Sequence, residues 1–320
     1  TKALCEQERT FREMNAKPTL TIDHVEVPIE GERNLLDLAR KAGIDIPTFC
    51  YHSDLSIYGA CRLCLVDVAG RGVVASCSTP PEAGMQVRTH TEEIRQMRRI
   101  AIEMILANHE QACPTCPKST SCRLQELARR LGVDRVRFKA THQAQPVDRS
   151  SLSLVRDPNK CILCGRCIRA CHERQGLDVY DFNYRGFNTI VSPAFGLGLD
   201  KVACTYCGQC AAVCPTAAIV EKDDTERVFA AINDPNKYTI VQTAPSVRVA
   251  LGEALGLPVG DVVTGKMVAA LRKLGFKKVF DTNFSADLTI VEEGNEFIHR
   301  VLNGGVLPMI TSCSPGWVNY

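Results

Sequence analysis

Two runs, Cys161-Ile162-Leu163-Cys164-Gly165-Arg166-Cys167-Ile168-Arg169-Ala170-Cys171 and Cys204-Thr205-Tyr206-Cys207-Gly208-Gln209-Cys210-Ala211-Ala212-Val213-Cys214-Pro215, repeat one spacing, C-x2-C-x2-C-x3-C. Modules with this spacing hold two [4Fe-4S] cubes, with the first three cysteines of a run binding one cube and the fourth crossing to the other. The spacing therefore predicts one cube on Cys161, Cys164, Cys167 and Cys214 and a second on Cys204, Cys207, Cys210 and Cys171.

Upstream, His109, Cys113, Cys116 and Cys122 follow the spacing H-x3-C-x2-C-x5-C. Alone, such a Cys3His set could hold zinc. Beside the duplicated run it reads better as a third [4Fe-4S] site, whose imidazole ligand removes one negative charge and shifts the potential. Further upstream, Cys50, Cys61, Cys64 and Cys77 form C-x10-C-x2-C-x12-C. The small residues Gly59 and Ala60 before the close pair let the backbone wrap and aim amides at sulfur, which suits a [2Fe-2S] cluster. A zinc ribbon would normally show two close pairs, not one pair and two isolated cysteines. The four sets use fifteen of the seventeen cysteines; Cys5 and Cys313 remain, and Cys5 reads as a bystander in a polar segment.

Composition narrows the class. The 320 residues carry 38 basic and 36 acidic side chains, a net charge of +2, so no global field favours nucleic acid or an anionic membrane. No apolar run is long enough to span a bilayer, and Thr1–Asn15 lacks the apolar core of a signal peptide. Cysteines at metal-binding spacing fit a reducing compartment, so a cytoplasmic location is expected. One local basic run, Arg129, Arg130, Arg135, Arg137 and Lys139, reads either as a solvated helix end or as a dock for an acidic redox partner.

The expected fold is a multidomain α+β chain. Residues 1–17 read as an extension, and 18–90 as a β-grasp [2Fe-2S] domain with strands near Thr19–Ile22 and Val25–Val27 and a helix stopping near Gly43. Residues 91–145 read as a small helical His/Cys3 domain with helices from Thr91 and around Leu124–Leu131, and 146–222 as a two-cluster ferredoxin domain. Residues 238–320 alternate strand and helix signals: strands at 239–241, 278–280 and 309–311, helices at 246–255, 264–274 and 286–302. That pattern predicts a parallel βαβ segment, an α/β domain cut short.

Through residue 222 the order of motifs resembles the iron-sulfur part shared by the large subunit of respiratory complex I, the diaphorase iron-sulfur subunit of NAD-reducing nickel-iron hydrogenases, some formate dehydrogenases and [FeFe] hydrogenases. The stretches 243–253, 278–289 and Pro308-Met309-Ile310-Thr311-Ser312-Cys313-Ser314-Pro315-Gly316-Trp317 resemble the start of the [FeFe]-hydrogenase catalytic domain. In that family the last motif reads T-S-C-C-P-G-W, the first cysteine relaying protons and the second ligating the domain's own cube. Here Cys313 matches the first and Ser314 replaces the second. Serine is a hard, poor substitute for thiolate. The family's later M-P-C and C-x3-C motifs lie outside these residues.

The resemblance implies no hydrogen-activating cluster on these residues and no catalytic residue. It implies an electron-transfer subunit with one [2Fe-2S] and three [4Fe-4S] clusters, in a soluble, electron-bifurcating complex of transhydrogenase type. No G-x-G-x-x-G follows a strand and no P-loop is present, so FMN or FAD and NAD(P) are expected on partners. Those partners are a flavin- and NAD(H)-binding subunit, a second NADP(H)-binding flavoprotein, and soluble ferredoxin. The competing readings are a fragment of the catalytic subunit of an NAD-dependent [FeFe] hydrogenase, and a zinc-stabilised interaction protein.

Overall fold

The computed structural model describes residues 17–139, 144–314 and 317–318; Cys5 and residues 140–143 of the expected His/Cys3 domain lie outside them. Two compact units divide the chain: one runs to Lys222 and is joined by residues from Ser314, and the other is Asp223–Cys313.

The first unit begins with alternating segments. In β1 (Thr19–Ile22) and β3 (Leu65–Val68) every second side chain is buried, because successive strand residues face opposite sides of the sheet. With β2 (Val25–Pro28), β4 (Gly72–Ala75) and β5 (Gln86–Arg88) they form a five-stranded sheet of order β2-β1-β5-β3-β4. The β1–β5 pairing is parallel and the others are antiparallel. Helix α1 (Leu35–Lys41) packs Leu35, Leu36, Leu38 and Ala39 onto Leu20, Ile22, Val66 and Val68. Asn34 caps it, its side chain accepting from the Asp37 amide at 2.9 Å, which satisfies one of the open donors of the first turn.

Helix α2 (Glu92–Ala107) starts at Thr91, whose hydroxyl accepts from the Ile94 amide, with Glu92 and Glu93 favourably placed in the first turn. Its inner face is Ile94, Arg98 and Ile102, spaced by one helical repeat. Helix α3 (Arg123–Arg130) ends before Gly132, which has φ +66°. Much of the basic run beyond is already paired: Arg130 with Asp45, and Arg137 in a fork on the buried Glu103 at 2.7 and 3.0 Å.

The next module is built on two antiparallel pairs, β6 (Leu154–Arg156) with β9 (Ile219–Glu221) and β7 (Asp181–Asn183) with β8 (Ile190–Ser192). Helices α4 (Arg166–Arg169), extended by a π-helical stretch over Ala170–Gln175, and α5 (Gln209–Ala212) carry cysteines of the duplicated runs.

In the second unit β10 (Ile240–Thr243) and β11 (Lys278–Asp281) pair in parallel, with α7 (Val247–Ala254) and α8 (Thr264–Leu274) between them and α9 (Thr282–Asn303) after, as the alternation predicts. The sequence reading missed α6 (Thr225–Asn233), which precedes β10. The expected strand at 309–311 is not formed: these residues have no ladder partner and Ile310 is exposed, and β-propensity without a pairing edge does not make a strand. Helix α9 has no buried residue and exposes Phe284, Leu288, Ile290 and Leu302.

Candidate iron-sulfur sites

The duplicated runs fold alike. Leu163 and Tyr206, at equivalent places, adopt φ +52° and +57°. Each thereby turns its amide back onto the first sulfur of its run, Leu163 to Cys161 and Tyr206 to Cys204, both at 3.4 Å. Gly165 and Gly208 follow with positive φ and start α4 and α5. A β-carbon on Gly165 would also meet the Tyr58 ring at 3.2 Å, so conformation and space both call for glycine there.

Two cavities sort the eight cysteines. The first is lined by Cys161, Cys164, Cys167 and Cys214. The second is lined by Cys171, Cys204, Cys207 and Cys210. Each thus collects three cysteines of one run and the fourth of the other. Apolar walls surround both: Ile162, Val191 and Ile219 at the first, Leu154, Leu177 and Val179 at the second. The Val179 amide points at the Cys171 sulfur at 3.4 Å, and the Tyr180 hydroxyl lies 3.7 Å from that of Cys210. Burial pushes the bare Cys161 and Cys210 thiols up to about 12 and Cys164 up to about 11. Metal ligation displaces such protons and turns burial from a penalty into a low-dielectric shell. The donor set, apolar walls and amides fit a cube in each cavity.

In the first domain Cys50, Cys64 and Cys77 are buried and Cys61 half-buried. The Cys50 and Cys61 sulfurs are 3.5 Å apart; the Phe49 amide points at Cys61 sulfur at 3.3 Å and the Cys61 amide at Cys50 sulfur at 3.5 Å. Gly59 and Arg62, both at positive φ, bend the loop that aims them. A hydrogen bond from Cys61 pulls the Cys50 thiol down to about 5 against burial, and Cys61 rises in turn.

His109, Cys113, Cys116 and Cys122 all sit on the connection between α2 and α3, with Cys122 as the residue before α3. The His109 Nδ1 atom is buried without a hydrogen-bond partner, and burial lowers the ring's pKa, which keeps it neutral and able to ligate. Among the described residues no three His, Cys, Asp or Glu side chains converge into a site for a single metal ion.

Side chains that spacing did not reveal join the sites. One apolar cluster packs Cys50 and Cys61 with Cys122 and Cys164, so cysteines from three of the four sets share it. Arg169, 8% exposed, donates to the carbonyls of Cys50 and Ser56. Lys118, two residues after Cys116, donates to the Cys214 carbonyl at 2.8 Å. Arg98, 1% exposed, donates to the carbonyls of Leu63 and Leu65 at 2.9 and 2.7 Å, on either side of Cys64. A charged residue inside the apolar stripe Ile94, Ile102 was the one available signal for Arg98.

Comparison with known proteins gives the same order of parts. Residues 16–92 match a 2Fe-2S iron-sulfur cluster binding domain, 98–137 the NADH-ubiquinone oxidoreductase-G iron-sulfur binding region, 160–218 a 4Fe-4S dicluster domain, and 237–320 the C-terminal domain of the iron-only hydrogenase large subunit. The chain is 45% identical to the NADP-reducing hydrogenase subunit HndD of Solidesulfovibrio fructosivorans, over 94% of this chain and 54% of that one. It is 37% identical to iron hydrogenase 1 of Clostridium pasteurianum, over 94% and 53%. It thus spans about half the length of these relatives. A subunit in the crystal structure of an NAD+-reducing [NiFe]-hydrogenase in the H2-reduced state superposes with TM-score 0.61 and 34% identity, over 65% of this chain and 88% of that one. The chain belongs to the family of iron-sulfur subunits of NAD(P)-linked hydrogenase and oxidoreductase complexes, with an [FeFe]-hydrogenase-like domain following its cluster-binding part.

Proposed function

We propose that the chain relays single electrons between flavoprotein partners and ferredoxin in an electron-bifurcating, transhydrogenase-type complex, and has no hydrogen-activating cluster of its own. The observation that carries the relay is the sorting of eight cysteines into two cavities, each lined by three cysteines of one run and the fourth of the other. Iron-sulfur clusters supply one-electron chemistry when bound. Cys50, Cys61, Cys64 and Cys77 would hold the [2Fe-2S] cluster, on a sheet whose order and single helix support a β-grasp reading. His109, Cys113, Cys116 and Cys122 would hold one [4Fe-4S] cluster, and the two cavities one each.

The packing supports a branched order. Cys164 shares a core with Cys50 and Cys61, and Cys214 takes a hydrogen bond from the loop carrying Cys116. The Cys161 cavity therefore touches both upstream modules, the arrangement of a common acceptor. Flavin and NAD(P) are assigned to partner subunits and the complex to the cytoplasm, in keeping with the metal-spaced thiols. Among the described residues no helix is long and apolar enough to cross a membrane.

A second reading, part of a hydrogenase catalytic subunit, draws on α9, whose exposed apolar side chains are those of a helix normally covered. Ser314 opposes it. The test is anaerobic purification with the flavoprotein partner. The expected result is about fourteen irons per chain, reduction by NADH, and no hydrogen turnover after the matured di-iron cofactor is supplied. About eight irons, stoichiometric zinc, or hydrogen turnover would overturn the reading.

A further inference from the structure

A third cavity, of about 310 Å³, opens between the modules of the first unit and is unlike the two lined by cysteines. Its wall carries four cations, Arg40, Lys118, Arg123 and Arg166, and two hydroxyls, Thr48 and Ser121, with no carboxylate. They come from separate parts of the chain: Arg40 from α1, Lys118 and Ser121 from the loop before α3, Arg123 from α3 and Arg166 from α4. Of the nearby carboxylates, Asp45 is held by Arg130, while Glu126 pairs with Arg123 itself and offsets part of its charge. Arg166 donates to the Tyr51 carbonyl. Several cations facing one space repel one another, and an anion in the cavity relieves that repulsion.

We propose that this cavity binds a small tetrahedral oxyanion, free phosphate or the phosphate of a monoester. Guanidinium forks and hydroxyls are the groups that recognise phosphate, and the Lys118 ammonium adds a point charge. A cube anchored by Cys214 is itself anionic and accounts for part of the positive charge. Cys214, however, forms one wall only, and Lys118 meets it through its backbone carbonyl, leaving the solvent side of the cavity to another anion. Because the anion sits beside that cube, binding and reduction oppose each other: an electron added there weakens the anion, and by linkage the anion lowers the potential. This last step rests on the cube assignment made above; the binding itself does not.

The test uses the cluster-loaded full chain in chloride-poor buffer, titrated calorimetrically with inorganic phosphate. Saturable one-to-one binding is expected, weakened at least tenfold in Arg40→Gln and again in Arg123→Gln, with the visible cluster spectrum unchanged. AMP replaces phosphate in a second arm: competition shows that the site takes monoesters, and its absence shows that it takes the free ion. No saturable heat, or equal heat in both variants, overturns the site. In EPR-monitored potentiometry, tenfold weaker phosphate binding to the reduced protein appears as a fall of about 59 mV in the midpoint of the Cys161 cube. Saturable binding with an unmoved midpoint overturns the placement beside that cube. If the cube's signal is missing while phosphate still binds, the cluster assignment fails and the anion site stands.

Discussion

Arg169 donates from a terminal guanidinium nitrogen to the backbone carbonyl of Cys50 at 2.6 Å, joining residues 119 positions apart. The same side chain reaches the Ser56 and Gly165 carbonyls, and its guanidinium carbon lies 5.4 Å from the centre of the Tyr58 ring. Tyr58 in turn stacks on Phe182 with centroids 5.8 Å apart. The Cys50 loop is thereby fixed to the helix that follows Cys164.

Arg169→Ala should leave buried carbonyls unpaired and cost about 3 kcal/mol of stability, given about 1.5–3 kcal/mol for a hydrogen bond to a charged group. Thermal unfolding followed by visible circular dichroism checks this, and the [2Fe-2S] signal should be lost before the ferredoxin-type cubes. Loss of all signals together at the wild-type temperature would show that Arg169 does not join the modules.

Arg98 is a buried cation whose hydrogen bonds go to carbonyls on both sides of Cys64, and burial pulls its pKa down to about 10. Replacing it with methionine should lower the midpoint of the [2Fe-2S] cluster by on the order of 60 mV, the size of a tenfold one-electron bias. Arg98→Lys, which keeps the charge, should recover most of the shift. A lowered melting temperature with an unchanged potential in both variants would mean that the role is purely structural.

Cys214→Ser should disturb the cube whose other ligands are Cys161, Cys164 and Cys167, because Cys214 lines their cavity and not its sequence neighbours'. EPR of the reduced protein distinguishes the two cubes. Damage confined to the Cys204, Cys207 and Cys210 cube would refute the crossed arrangement.

Leu36→Ala removes a fully buried side chain between α1 and the five-stranded sheet. Loss of transfer energy plus the residual cavity predicts a cost of about 2–5 kcal/mol. Denaturant titration of the cluster-loaded protein measures it. A change below 1 kcal/mol would mean that the site repacks.

The sequence by itself determined the four cysteine-rich sets proposed as ligands. Cysteine spacing is a local quantity, and C-x2-C geometry restricts which sulfurs can share a cluster before any tertiary contact exists. Alternation in β1 and β3, the stripe of α2 and the caps Asn34 and Thr91 were legible for the same reason, since strand and helix periods are written in neighbouring residues. The strand expected at 309–311 failed because a strand is a relation between two segments, and no edge meets this one. Only the tertiary structure brought Arg169 to Cys50, Lys118 to Cys214, and four cations from separate segments to one cavity. Those contacts join residues far apart in the chain, and which arginine lands beside which cluster follows from how the modules pack, a property that no stretch of sequence encodes alone.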